Sequence, residues 1–232
     1  LLRADIPDQN LYGHSNNIYR PPDAFNHDRQ WAVTSDLNVT LPAGLTLRLL
    51  EGYRDWRNDS LDGGTAFLSV PTFGRQAYYD SISHSHELQV VTPKNWLLNG
   101  RLDGVAGIYY FHENYGVGEH NTRRDQYCSL VVANTLPALV PGCVAGPSTL
   151  TDAAFFQSTE SVATYTEGRL GLAHGFDLTL GVRWTTERKN GNFVQTVPNP
   201  AGTILRGAEN TPLHFSHNKV TWRTGLSWRP TD

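Results

Sequence analysis

The sequence predicts an all-β fold: a partial antiparallel transmembrane β-barrel of about seven long strands, with short turns at one end and long loops at the other. Three observations predict it. Apolar and polar residues alternate over unusually long runs, the connections alternate between short and long, and aromatic residues gather toward the strand ends.

The alternation is cleanest in three segments. From Phe176 to Glu187, one face carries Phe176, Leu178, Leu180, Val182 and Trp184, and the other carries Asp177, Thr179, Arg183, Thr185 and Glu187. Val220, Trp222, Leu226 and Trp228 share a phase near the other end of the chain, against Lys219, Thr221, Arg223, Ser227 and Arg229. Trp31 to Leu41 sets Trp31, Val33, Leu37, Val39 and Leu41 against Thr34, Asp36, Asn38 and Thr40. Leu45 to Trp56, His84 to Thr92, Arg101 to Glu113 and Phe155 to Leu172 read as strands with less regular alternation. The last is rich in β-branched and aromatic residues, which favours strand over helix.

Short connections lie at Ala43-Gly44, Lys94 to Gly100 and Ala173-His174-Gly175. Long ones cover Ser60 to Ser83, Asn114 to Ala154 and Lys189 to His217. Soluble strands typically run about 5–6 residues. Eleven residues at about 3.3 Å each, tilted near 45°, rise roughly 25 Å, the height of the apolar band of an outer-membrane barrel. With the short turns at the periplasmic end, Trp31, Tyr53, Trp56, Tyr109, Phe111 and Trp184 fall toward the outer girdle, and Trp96, Phe176 and Trp228 toward the inner one. Placing Arg183 or Arg223 against lipid near mid-depth would cost about 2–4 kcal/mol each, so the charged face is expected to line the lumen.

Composition narrows the function classes. The 232 residues carry 19 Lys and Arg against 22 Asp and Glu, a formal charge of −3, so there is no basic footprint for nucleic acid. No apolar run is long enough for a membrane-spanning helix, which leaves barrels open. The chain contains no methionine and opens on Leu1-Leu2-Arg3, and an odd strand count does not close a single-chain bacterial barrel; both lead us to expect an internal piece of a longer protein, with neighbouring strands on both sides. There is no Gly-rich phosphate loop, Gly-x-Ser-x-Gly elbow, zinc-protease motif or Cys-x-x-Cys, and the chain is read as no enzyme and as needing no cofactor.

Particular residue strings add a family resemblance. Ser85-His86-Glu87-Leu88-Gln89-Val90-Val91-Thr92-Pro93 followed by Leu102 to Phe111 resembles the hairpin of TonB-dependent outer-membrane receptors in which a Glu-Leu-Arg-like strand precedes a Gly-Leu-Tyr-Tyr-Phe-like one. Thr159 to Tyr165 and Leu178 to Glu187 resemble the family's Ser-x-Ala-x-Phe and Leu-Thr-x-Gly-x-Arg-Tyr-Thr-x-Glu elements, and Val220 to Asp232 its Gly-x-x-Trp/Tyr-x-Pro-Thr-Asp strand end. Gln89 departs from the usual Arg, and Thr164-Tyr165 from a Leu-Phe. The resemblance implies that residues 1–232 are part of a barrel of about 22 strands, its plug domain and remaining strands not included. It further implies the bacterial outer membrane, energy from the TonB complex through parts outside this chain, and a scarce small-molecule ligand such as a ferric siderophore. A passive porin-like channel shares every strand argument, and a soluble β-sandwich binding module is the third reading.

The candidate sites follow. Cys128 and Cys143, the two cysteines, sit in the longest outer loop; a disulfide closing such a loop is worth about 3 kcal/mol in an oxidising periplasm, against the alternative of two free thiols. Arg183, Arg223, Asp36 and Glu187 are lumen-facing charges that either touch an anionic ligand or solvate the wall and meet the plug. His84 and His86 with Glu87, and His112, Glu113, Glu119 and His120, have spacings seen in metal sites, yet no third ligand is fixed, so no metal is assigned.

Overall fold

The computed structural model describes residues 23–62 and 70–229. Residues 1–22, 63–69 and 230–232 lie outside the described residues, and with them the strand-end Pro230-Thr231-Asp232 and part of the Ser60 to Ser83 connection. Among the described residues seven strands follow one another in chain order: β1 (Phe25–Thr40), β2 (Thr46–Asp62), β3 (Phe73–Val91), β4 (Leu102–Arg123), β5 (Thr149–Gly171), β6 (Phe176–Thr196) and β7 (Glu209–Trp228). Each pairs antiparallel with the next in a single open sheet, with β1 and β7 at its edges.

Turn chemistry fixes the register at the short end. Ala43 and Gly44 adopt φ of 61° and 75°, and His174 and Gly175 repeat the pattern at 61° and 76°. Two successive left-handed residues match the twist of flanking strands. A Cβ on Gly175 would lie 2.1 Å from the carbonyl oxygen of Arg229, so only glycine fits there.

The strands are longer than the sequence pattern predicts, from 16 residues in β1 to 23 in β5. The long connections shrink accordingly, to 124–148 between β4 and β5 and 197–208 between β6 and β7. Above the membrane both faces of a strand meet water, so alternation loses its contrast while the hydrogen-bond ladder continues. The 21 residues of β6 rise on the order of 50 Å, about twice the height of the apolar band.

Register assigns every residue to a face. Val33, Leu37 and Val39 continue across β2 to β7 through Leu88, Ile108, Val162, Val182 and Trp222 on one face. That face is predominantly apolar, broken by Glu51, His84, His86 and His112, and exposed, Val182 by 45% and Trp222 by 76%. A sandwich would bury both residues between two sheets; one sheet with an uncovered greasy face excludes it. At the short-turn end Phe176 and Trp228 stack on this face with ring centroids 5.9 Å apart, giving an inner girdle. The outer girdle needs correction. Trp31, Tyr53 and Trp184 share the apolar face, but Trp56, Tyr109 and Phe111 fall on the opposite one, because height along a strand does not determine phase. Tyr110 takes the outward place beside them.

The buried core is small and sits at the long-loop end. Phe73, Tyr127, Cys128, Val132, Cys143, Leu150 and Ala201 pack together, joining the helical turns of 127–145 and 200–204 to the tops of β3 and β5. These two connections form a cap.

Candidate functional site

The inner face is a wall of neutralised charge. Arg48 grips Asp36 at 2.6 Å, Arg169 reaches Asp103 at 2.6 Å, and Arg223 and Arg229 pair with Glu167 and Asp177. Tyr165 donates to Glu87 and accepts from Gln89 at 2.9 Å. Gly107 makes room for that ring, since a Cβ there would sit 2.6 Å from the Tyr165 hydroxyl.

Arg183, Arg223, Asp36 and Glu187 all lie on this face. They do not converge on one another. Asp36 is held by Arg48, Arg223 by Glu167, and Glu187 by Lys189 at 3.1 Å. Arg183 alone of the four has no opposite charge among the described residues. Its guanidinium lies 5.3 Å from the centre of the Tyr109 ring and 5.8 Å from that of Tyr165, and its Nε donates to Thr185 at 3.2 Å. Two aromatic faces hold the cation and leave its hydrogen-bonding edge available.

The histidine clusters come apart. His84, His86, His112 and His120 belong to the outward face, whereas Glu87, Glu113 and Glu119 belong to the inner one, because neighbours in a strand point opposite ways. Among the described residues no group of three His, Cys, Asp or Glu side chains is arranged to hold a metal ion. His86 instead pairs with Glu51 across the outward face.

A chamber of about 600 Å³ lies between the inner wall and the cap. Its walls are mainly apolar, from Phe73, Val117, Tyr127, Phe155, Phe193 and Leu205. Arg75 donates to Glu119 at 2.8 Å, and Arg206 pairs with Glu209 at 2.6 Å while lying 4.4 Å over the Phe193 ring. The cap above is stapled twice. Cys128 and Cys143 are joined as a disulfide with Cα atoms 5.8 Å apart. Fully buried Asn199 donates to the carbonyls of Cys143 and Pro147 at 3.0 and 2.8 Å and accepts from the Ala201 amide at 2.9 Å, which ties the second connection to the first.

The family model for the TonB dependent receptor-like β-barrel matches residues 2–232. The chain belongs to this family. No curated protein matches it. Among solved structures 11 chains match, including the ferric yersiniabactin uptake receptor FyuA from Yersinia pestis, at 14% identity and a TM-score of 0.69. That match covers 100% of this chain and 30% of the FyuA chain.

In this receptor barrel the chamber is the feature that sequence reasoning missed. Phe155 opens a predicted strand, but Val117 and Phe193 fall inside predicted loops, and Tyr127 and Asn199 carry no motif. Beyond Arg188 the two faces of β6 read Lys189, Gly191, Phe193, Gln195 and Asn190, Asn192, Val194, Thr196, so no hydrophobic period signals that the strand continues upward. Tyr127 also offers a titration. Burial pushes its phenol from 10.0 up to about 12. The folded cap therefore keeps a neutral phenol that an opened cap would ionise, so the stability that Tyr127 contributes to the cap is fully present below pH 10 and is lost as pH climbs from 10 toward 12. The tyrosinate difference spectrum between wild type and Tyr127→Phe should show a midpoint near about 12. A midpoint near 10 would mean that the ring is not buried.

Proposed function

We propose that this chain is the barrel wall of a plugged outer-membrane receptor that takes up a scarce small molecule with energy from TonB, and that the ligand is a ferric siderophore. The observation that carries the reading is the two-faced sheet: a predominantly apolar face suited to hydrocarbon, interrupted at the Glu51–His86 pair, backed by an inner face of paired charges, in a chain matched to the family over residues 2–232. In lipid the open edges at β1 and β7 need partner strands, which supports a longer parent protein. TonB would act through parts outside this chain. The siderophore rests on the likeness to FyuA, a ferric yersiniabactin uptake receptor. We assign Arg183 to the plug or to a ligand passing it, and Arg223, Asp36 and Glu187 to the solvated wall. The Cys128–Cys143 bridge forms, in this reading, in the oxidising periplasm during assembly.

Uptake of radiolabelled ferric siderophores by iron-starved cells tests the proposal. Accumulation should be lost on deleting the gene that carries this chain and equally lost on deleting tonB. Uptake that depends on this gene but survives loss of tonB would instead identify a passive porin-like channel.

A further inference from the structure

We propose that the outward face of β2 and β3 binds a second copy of this chain, forming a two-fold dimer in the membrane whose axis runs along the bilayer normal between the two strands. The inference rests on the outer-membrane reading and adds an interface that the reading does not require.

The signal is charge at an unfavourable depth. Glu51 and His86 face outward five residues above the short-turn ends of β2 and β3, at Thr46 and Val91, and pair with each other. Five residues of a tilted strand rise about 12 Å, the middle of an apolar band of roughly 25 Å. Their side chains are 33% and 52% exposed, so their own chain does not cover them. His84 faces outward two residues higher, its ring 5.0 Å from that of Tyr53. Among the described residues no other Asp, Glu, His, Lys or Arg faces outward within eight residues of a short-turn end. On β6 that stretch carries Leu178, Leu180, Val182 and Trp184. Ionisable groups are costly against hydrocarbon, and a protein surface that hydrogen-bonds to them removes the cost. Confinement to two adjacent strands suits a contact between two convex walls.

The strip is its own complement. A two-fold axis between β2 and β3 sets each residue of one strand against the position of its register partner on the second copy. Neighbouring strands lie about 4.8 Å apart, so register partners differ in depth by less than that. Glu51 of each copy then faces His86 of the other, Tyr53 faces His84, and Leu49 faces Leu88 below them. Arg57 faces Asp80 at the outer rim. Within one chain Arg57 leaves 66% of its side chain exposed on a 3.3 Å contact with Asp55, and Asp80 has no cation in pairing distance among the described residues. Acid meets base at two depths and apolar meets apolar at a third. A different protein would have to supply that pattern; a second copy already carries it.

The test expresses the complete gene product with two different affinity tags in the same cells, extracts it in mild detergent and captures it by one tag. Expected is recovery of both tags for the wild type. Glu51→His sets imidazole against imidazole across the axis, and His86→Glu sets carboxylate against carboxylate, so each should lower self-capture about tenfold. Combined in one cell, the two variants place Glu against His on both sides of the axis and should recover capture. Neither variant retains a Glu–His pair within its own chain, so a role confined to folding would not produce that recovery. Only protein with heat-modifiable migration is scored. If a charge variant fails to fold, a cysteine pair decides: a short bismaleimide should link Leu49→Cys in one copy to Leu88→Cys in the other, and should not link copies carrying the outward-facing Leu180→Cys on β6. The dimer is overturned by absence of wild-type co-capture, by folded variants that together capture no better than each alone, or by linking at Leu180 as strong as at the Leu49 and Leu88 pair. If the dimer fails while uptake stays TonB-dependent, only this inference falls. If copies pair as expected but uptake ignores TonB, the receptor reading falls and the interface stands.

Discussion

Val182→Arg is expected to block assembly of the barrel or to destabilise it by about 2–4 kcal/mol, whereas Thr185→Arg three residues on should cost less than about 1 kcal/mol. Val182 lies on the outward face in the lower, membrane-spanning part of β6, directly opposite Thr166 and Trp222, and a guanidinium there would meet hydrocarbon. Thr185 lies on the inner face opposite Ala163 and Lys219; an Arg there gives up the hydrogen bond that Thr185 accepts from Arg183 and faces the Lys219 cation, but with Glu187 two residues along on the same side it stays hydrated, which holds the cost below that of a guanidinium in hydrocarbon. The two substitutions introduce the same side chain into the same strand from two β-branched residues of similar strand propensity, so the face is the main difference between them. The readout is the fraction of the complete protein that shows heat-modifiable migration, together with its urea midpoint in lipid vesicles. Equal penalties at the two positions would remove the assignment of faces, and the membrane with it.

Lipid is also the reason why some of this architecture was legible in the sequence and some was not. Within the apolar band the solvent on the two sides of a strand differs, so Leu178, Leu180, Val182 and Trp184 must alternate with Asp177, Thr179, Arg183 and Thr185, and strand, phase and turn can be read directly. Above the band that contrast vanishes. Glu119, His120 and Asn121 are polar on both faces, and a ladder that continues through them leaves no hydrophobic period. The run Tyr109-Tyr110-Phe111 placed aromatic residues at the right height, but three consecutive rings cannot declare which of them faces lipid until the pairing with Glu87, His86 and Ser85 is known. The lumen charges were legible as a face and not as a site, because their partners, such as Arg48 for Asp36 and Glu167 for Arg223, lie on neighbouring strands. The chamber was least legible: Val117, Phe155 and Phe193 come together only through register, and Tyr127 and Leu205 reach it from separate connections.

Replacing both cysteines by serine should cost the cap about 3 kcal/mol while leaving the membrane-spanning wall intact, because the bridge closes a loop that lies wholly above the strands. What remains would be the small core around Tyr127, Val132 and Leu150 and the three hydrogen bonds of Asn199. Asn199 binds the carbonyl of Cys143 itself, so freeing that segment also loosens the tie between the two connections. Hydrogen exchange followed by mass spectrometry should therefore accelerate in both 127–145 and 200–204 and stay unchanged in β4 to β6 below the chamber. Reductant added to the wild type should reproduce the effect. Acceleration in 127–145 alone would show that the Asn199 tie does not depend on the bridge, and no acceleration in either would mean that apolar packing holds the cap without it.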